Sequence, residues 1–319
     1  MLPSTIKAAA VQCRADPGDI VGNLSRAETL VLQAAAQGAR LILLPELTPG
    51  GYLLTEEIWS TAETMQGHSV SWLKATAKRL DIYIGMSFLE ANDSDFYNSF
   101  VLAKPDGEIA GRVRKNPPAS AEAYFFRAGN DVHFIDTDIG RIGVSICYEA
   151  LLHERLAEHQ RNGVDILLIP MSAGTPTPVF PIRRKDCIVY DEMLRGLAAH
   201  HAGALGVPVI MANKCGPLVT AMPSGMPFQD TCFPGLSTIA DAKGDVVSQL
   251  SDSEGIAIAE VQLDPSHKVK RVPRSYGRWA LEVPWFSFLF PLAAFFGARV
   301  YDKNKVRAAR ASAMSRTNG

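Results

Sequence analysis

Short runs of aliphatic and β-branched residues alternate through most of the chain with longer stretches whose apolar positions recur at helical spacing. The runs at 6–13, 40–45, 82–89, 99–103, 141–147, 166–170, 207–213 and 256–261 read as strands. Between them, 23–37 and 149–161 carry amphipathic helical patterns, each ending near a glycine (Gly38, Gly163) suited to a left-handed cap. Lys104-Pro-Asp-Gly107 reads as a turn between two strands. Strands and helices interleave, yet adjacent strand pairs also occur, so the pattern predicts a layered α/β fold with mixed sheets. No internal repeat or composition shift divides residues 1–264, which read as one domain.

The remainder, 265–319, has a different character. Lys268, Lys270, Arg271, Arg274 and Arg278 precede a stretch, 283–298, that carries no charge, and Arg299, Lys303, Lys305, Arg307 and Arg310 follow it. Its uncharged part is shorter than the roughly 20 residues a spanning helix needs, and it contains Pro284 and Pro291. Trp279, Trp285, Phe286, Phe288, Phe290, Phe295 and Phe296, with cations on both flanks, suit a segment lying at a headgroup boundary, with lipid contact through 279–300. The alternative is a subunit interface, where large aromatics are also common.

A chain of 319 residues, 47% hydrophobic, can bury a sizeable core. Its net charge of -1 argues against a nucleic-acid-binding surface over the whole molecule, and no nucleic-acid partner is expected. Five cysteines without a CxxC pair fit neither a disulfide framework nor a zinc site. The N-terminus lacks the longer apolar core of a signal peptide, so a cytoplasmic protein is expected, peripheral at the inner face of the membrane if the aromatic segment binds lipid.

Three places carry candidate chemistry. In Arg141-Ile-Gly-Val-Ser-Ile-Cys147 a strand pattern passes directly into a helix pattern at the cysteine. The free N–H groups of a helix start favour a thiolate and can also bind an oxyanion, although a buried structural cysteine is an equally good reading of the local pattern. Glu46 closes the hydrophobic run Leu41-Ile-Leu-Leu-Pro, a partly desolvated setting suited to a general base. Lys115 ends Arg112-Val-Arg, ahead of the stiff Pro117-Pro118 pair, with Glu122 seven residues on. Glu149 reads as a first-turn complement to the helix dipole. His200 and His201 are neighbours that point apart, His153 and His159 lack metalloprotease spacing, and no metal site is expected.

The order Glu, Lys, Cys, in the contexts LLPE, RVRK and GVSICYE, resembles the nitrilase superfamily of carbon–nitrogen hydrolases. Asp165-Ile-Leu-Leu-Ile-Pro, Val207-Pro-Val-Ile-Met-Ala-Asn-Lys-Cys-Gly216 and Gly235-Leu-Ser-Thr-Ile-Ala-Asp-Ala-Lys-Gly244 are similar too, so the resemblance covers about residues 6–264. It implies a four-layer αββα sandwich that pairs into homodimers or higher oligomers, with Glu46, Lys115 and Cys147 as the catalytic set and Glu122 as an additional glutamate beside the lysine. No cofactor is implied. Nitrilases proper often carry tryptophan after the nucleophile, whereas this chain has Tyr148-Glu149, which favours a small-molecule amide, amphiphilic if met at a membrane, over a nitrile. Tyr52 and Tyr148 are the candidate substrate-binding residues. Two rivals remain open: an N-acyltransferase that passes the acyl group to an amine, and a membrane-binding scaffold with a vestigial site.

Overall fold

The computed structural model describes residues 4–317. Residues 1–3, the start of the stretch read above as lacking a leader, and residues 318–319 of the extension lie outside the described residues. In chain order the strands are β1 (Ser4–Gln12), β2 (Leu41–Leu43), β3 (Tyr83–Asn92), β4 (Asp95–Ala103), β5 (Ile109–Arg114), β6 (Phe134–Thr137) and β7 (Gly140–Val144). They continue with β8 (Ile166–Pro170), β9 (Val209–Ala212), β10 (Cys215–Thr220), β11 (Gln229–Pro234), β12 (Thr238–Ala240), β13 (Val246–Gln249) and β14 (Gly255–Leu263). The helices are α1 (Ile20–Ala36), α2 (His68–Leu80), α3 (His153–Arg161), α4 (Arg184–Leu205), α5 (Phe290–Lys303) and α6 (Lys305–Thr317).

Two six-stranded sheets form, ordered β14-β1-β2-β3-β4-β5 and β13-β12-β9-β8-β7-β6, with β10 and β11 as a separate hairpin. Each sheet is mixed: β1, β2 and β3 run parallel, as do β7, β8 and β9, while the outer pairs are antiparallel. One apolar cluster joins Leu41, Leu43, Phe100 and Leu102 of the first sheet to Ile142, Val144, Leu168 and Met211 of the second, and continues to Leu194 and Leu197 of α4. A second cluster covers the other face of the first sheet, where Leu24, Ala27 and Val31 of α1 and Val70, Leu73 and Ala77 of α2 meet Ile42, Ile84 and Val101. The product is the αββα sandwich that the family resemblance implied, with the mixed sheets that the interleaved pattern predicted.

Local chemistry sets several boundaries. Asp19 caps α1 by accepting the Gly22 N–H at 3.0 Å, which starts the helix earlier than its apolar spacing suggested. Gly107, at φ +86°, closes the turn between β4 and β5 where Lys104-Pro-Asp-Gly107 stands. The helical pattern expected from 149 divides into a short 3-10 turn, Cys147–Leu151, and α3.

The C-terminal extension folds back onto the body. Leu152 and Trp279 form an antiparallel bridge, with Ala280 N–H donating to Leu151 O and His153 N–H to Arg278 O, both at 2.9 Å. Gly297 of α5 seats against Tyr124, where an added Cβ would come within 2.6 Å of the ring. Beyond it, the Tyr301 hydroxyl accepts the Phe96 N–H at 2.9 Å, and Ala311 of α6 is buried beside Trp59 and Phe96.

These contacts correct part of the lipid-facing assignment. Trp279 and Phe286 are 1% and 2% exposed and belong to the main core, and Phe290 packs half-buried against it. The apolar surface of Trp279 and Phe286 is already covered by protein, and that of Phe290 is covered in part. Trp285, Phe288, Phe295 and Phe296 are exposed. No helix among the described residues is long and apolar enough to cross a membrane.

Candidate active site

Each of the three sequence-predicted groups lies just beyond the C-terminal end of a strand: Glu46 after β2, Lys115 after β5 and Cys147 after β7. Strand ends of this kind leave backbone groups and side chains free to converge on a ligand. Glu46 is held by its own backbone, its N–H donating to Met171 O at 3.1 Å and its carbonyl accepting the Ser172 hydroxyl at 2.8 Å. The end of β5 is fixed by Arg114, whose guanidinium makes paired bonds of 2.9 and 2.8 Å to buried Glu90.

Lys115 bridges two carboxylates in the interior. Its Nζ donates to Glu46 Oε1 at 2.6 Å and lies 2.7 Å from Glu122 Oε2 and 3.0 Å from Glu122 Oε1, all three side chains being at most 1% exposed. Asn98 Nδ2 also donates to Glu46 Oε1, at 2.7 Å. Glu46 Oε2 is buried without a hydrogen-bond partner among the described residues. Burial works against the Lys115 charge, but the Glu122 and Glu46 carboxylates outweigh it and hold the ammonium well above the ordinary lysine range. Burial and the Glu46 charge push Glu122 upward, opposed by Lys115.

Cys147 sits at φ +52°, a region that a side chain occupies only when its surroundings impose it. Its sulfur accepts a hydrogen bond from the Ser172 backbone. Here the expectation of a helix-stabilised thiolate is corrected. Burial, then the Glu46 carboxylate, raises the thiol well above its usual value, against the lowering effect of Lys115, and the chain past Cys147 forms only a short 3-10 turn. Ionisation of the sulfur is thus disfavoured by its burial and by the Glu46 charge.

Glu149 is the group whose role sequence reasoning missed. It stands in the first turn as expected, but it is fully buried and its bonds reach well beyond that turn. Its Oε2 accepts the Ile146 N–H at 2.6 Å, and its Oε1 accepts the Asn116 N–H at 2.6 Å and contacts His133 Nε2 at 2.7 Å. One carboxylate thus ties the residue before Cys147 to the residue after Lys115. A glutamate two residues past the cysteine, in an otherwise apolar run, was the available signal. Lys214 was missed as well: fully buried, it donates to Leu47 O at 3.1 Å, and burial lowers its pKa to about 8 despite the Glu46 charge.

Cys147 and Glu122 open into a cavity of about 190 Å³, which Tyr52 and Tyr148 also line. The Tyr52 hydroxyl donates to Glu122 Oε1 at 2.9 Å, whereas the Tyr148 hydroxyl is buried without a partner among the described residues. The Tyr148 ring rests on Trp279 and Phe290, with centroids at 6.1 and 5.8 Å, so the extension supplies a wall of the cavity. Trp285, Phe288, Phe295 and Phe296 do not line it.

Comparison with known proteins agrees with this geometry. The carbon–nitrogen hydrolase family model matches residues 7–271. The N-carbamoylputrescine amidase of Arabidopsis thaliana is 31% identical over 270 residues, covering 81% of this chain and 86% of the relative. The citrullinase of Francisella tularensis is 28% identical, covering 78% and 86%. A carbon–nitrogen hydrolase structure from Helicobacter pylori shares the fold at a TM-score of 0.72 and 24% identity, over 82% of this chain and 90% of that one. The chain belongs to the carbon–nitrogen hydrolases of the nitrilase superfamily, in its amidase-like part, and is an enzyme of that class.

Proposed function

We propose that the chain is an amidase that cleaves a small-molecule amide or carbamoyl C–N bond through a thioester on Cys147. The observation that carries this reading is the unpartnered oxygen of Glu46, buried with its other oxygen against Lys115, its charge acting on a Cys147 thiol that burial holds well above the usual range. That oxygen takes the thiol proton as the sulfur attacks the carbonyl carbon. Lys115 and the Tyr148 backbone N–H stabilise the developing oxyanion. Glu46 then gives its proton to the leaving amine, which departs as the thioester forms. Water deprotonated by Glu46 hydrolyses that thioester and restores the thiol. Glu122 and Tyr52 keep Lys115 in place from the opposite side. The names of the relatives favour amides over nitriles.

Intact-mass analysis with a slow amide tests this. The expected result is an acyl adduct on Cys147 that is absent from Cys147→Ala; an adduct on Cys13, Cys187, Cys215 or Cys232 sinks the assignment. Supplying an amine during turnover tests the acyltransferase rival, which requires the acyl group to end on the amine instead of on water.

A second reading concerns the outer face of the extension. Exposed Trp285, Phe288 and Phe295, near Arg278 and Arg299, support contact with an anionic lipid surface. Flotation with anionic vesicles tests it, and protein that stays at the bottom of the gradient ends it. A homodimer through the same face is the competing arrangement, which sedimentation detects.

A further inference from the structure

Beside the cavity at Cys147 lies a larger groove of about 790 Å³, within the usual range for small-molecule sites. Ser120, Gln229, Pro176, Met222, Phe286 and Phe290 are among the residues that line both, so the two spaces adjoin. One wall is a single face of the extension: Leu289, Leu292, Ala293, Phe296 and Val300 recur at helical spacing along it. Opposite stand Val179 and the methionines 222 and 226, whose unbranched side chains adapt to varied apolar shapes.

The polarity of the groove is graded. Where it adjoins the cavity its lining is apolar apart from Ser120 and Gln229, and Arg299 and Lys303, one turn apart on α5, add two cations. Neither forms an ion pair among the described residues; Arg299 only stacks over Phe295, 3.4 Å from the ring centroid. No acidic residue lines the groove. An apolar channel leading from the thiol to two uncommitted cations matches a molecule with a reactive carbonyl at one end, carbon in the middle and negative charge at the other.

We propose that the groove receives an apolar arm of the substrate, an aliphatic or aryl chain on the scissile amide whose far end is anionic and meets Arg299 and Lys303. This deepens the amidase reading and rests on it. The groove then selects by length and end charge, while the groups around Cys147 perform the chemistry. A cationic arm enters against two like charges. A short polar amide leaves the apolar wall hydrated and gains little from it.

The test uses the full chain with two series, primary amides from butyramide to decanamide and N-alkylacetamides from butyl to decyl. Decanamides bearing a terminal carboxylate or ammonium complete the set. Burial of each added methylene can contribute up to about fourfold, so kcat/KM is expected to rise roughly tenfold or more along at least one series. The carboxylate end is expected to exceed the ammonium end by about fivefold or more at low salt, and the gap to narrow at high salt. Ala293→Trp, which fills the groove, is expected to lower the long-to-short ratio by about tenfold. Should that variant fail to fold, the exposed pair Arg299→Glu and Lys303→Glu still reads the proposal by reversing the end-group preference. Turnover of short amides with no length dependence in either series overturns the groove and leaves the amidase reading standing. No turnover of any amide, with no adduct on Cys147, overturns both. A dimer that these charge reversals dissociate without altering length or end-group preference assigns the face to a second copy and also overturns the proposal.

Discussion

Glu46 meets Lys115 through one oxygen only: Oε1 takes the ammonium at 2.6 Å, while Oε2, equally buried, has no hydrogen-bond partner among the described residues. The proposed proton transfer depends on this asymmetry. Oε1 already accepts from both Lys115 and Asn98, which leaves Oε2 as the less committed acceptor for the thiol proton.

Replacing Glu46 by Gln separates two effects of that carboxylate. As a base it assists turnover, so kcat is expected to fall by about two to four orders of magnitude. As a charge it ranks second to burial among the causes that raise the Cys147 thiol, so its removal lowers the pH at which the thiolate forms. The alkylation midpoint of Cys147 with iodoacetamide is expected to move to lower pH as activity is lost. A midpoint that stays put or rises counts against the contact.

Lys115→Met leaves Glu46 and Glu122 facing one another without a cation. Removing one member of such a buried set costs about 3–5 kcal/mol, which denaturant unfolding measures. Adding Glu122→Gln is expected to recover part of the stability and none of the activity. Full stability in the single variant removes the electrostatic account.

Glu149 positions the reacting groups without touching them. Glu149→Gln puts an amide N–H₂ among donors that need an acceptor, and kcat is expected to drop by roughly one to two orders of magnitude, since misplacement of about 1 Å has costs of that size. KM and the pH dependence of Cys147 alkylation are expected to change little, because the cavity lining and Glu46 remain. A large shift in that alkylation profile would instead mean that Glu149 acts on the thiol directly.

Trp279→Ala distinguishes core from lipid contact. The side chain is 1% exposed and supports Tyr148, so a loss of about 3–5 kcal/mol is expected in unfolding experiments, with vesicle binding unchanged. Phe288→Ala, at an exposed site, is expected to fall within about 0.5 kcal/mol of the parent.

Acid sensitivity follows from two buried histidines. Burial, with His200 beside it, lowers His201 to about 4, and burial with Arg155 nearby holds His159 well below the normal histidine value. The unfolded chain therefore binds more protons than the native one as pH falls below the ordinary histidine value of 6.5, and stability declines through that window. His201 alone accounts for a loss on the order of 3 kcal/mol by pH 4. His201→Gln is expected to flatten the curve of unfolding free energy against pH between those limits. An unchanged slope excludes His201 as its source.

Much of the site was legible because its groups terminate hydrophobic strands. A carboxylate after Leu41-Ile-Leu-Leu-Pro or a cysteine after Ile142-Gly-Val-Ser-Ile stands where the chain leaves a sheet, and the alternation of strands and helices predicts the layers. Glu149 and Lys214 were not legible in this way. Their partners, Asn116 and His133 for one and the Leu47 carbonyl for the other, are distant in sequence, so no local pattern reports that they are buried. The aromatic extension was misread for a related reason. Hydrophobicity records the need for cover but does not say whether lipid or the chain's own body provides it, and at Trp279 and Phe286 the body does.

The bare α-carbon of Gly297 has one more consequence. It lets α5 lie flush on Tyr124, within the same short turn that presents Glu122 to Lys115. A branched residue there would pry the tail outward and drag the ammonium's anchor with it. Remodelling of this tail is therefore coupled mechanically to charge placement in the interior, and chimaeras that exchange it between relatives must preserve that single flat seat.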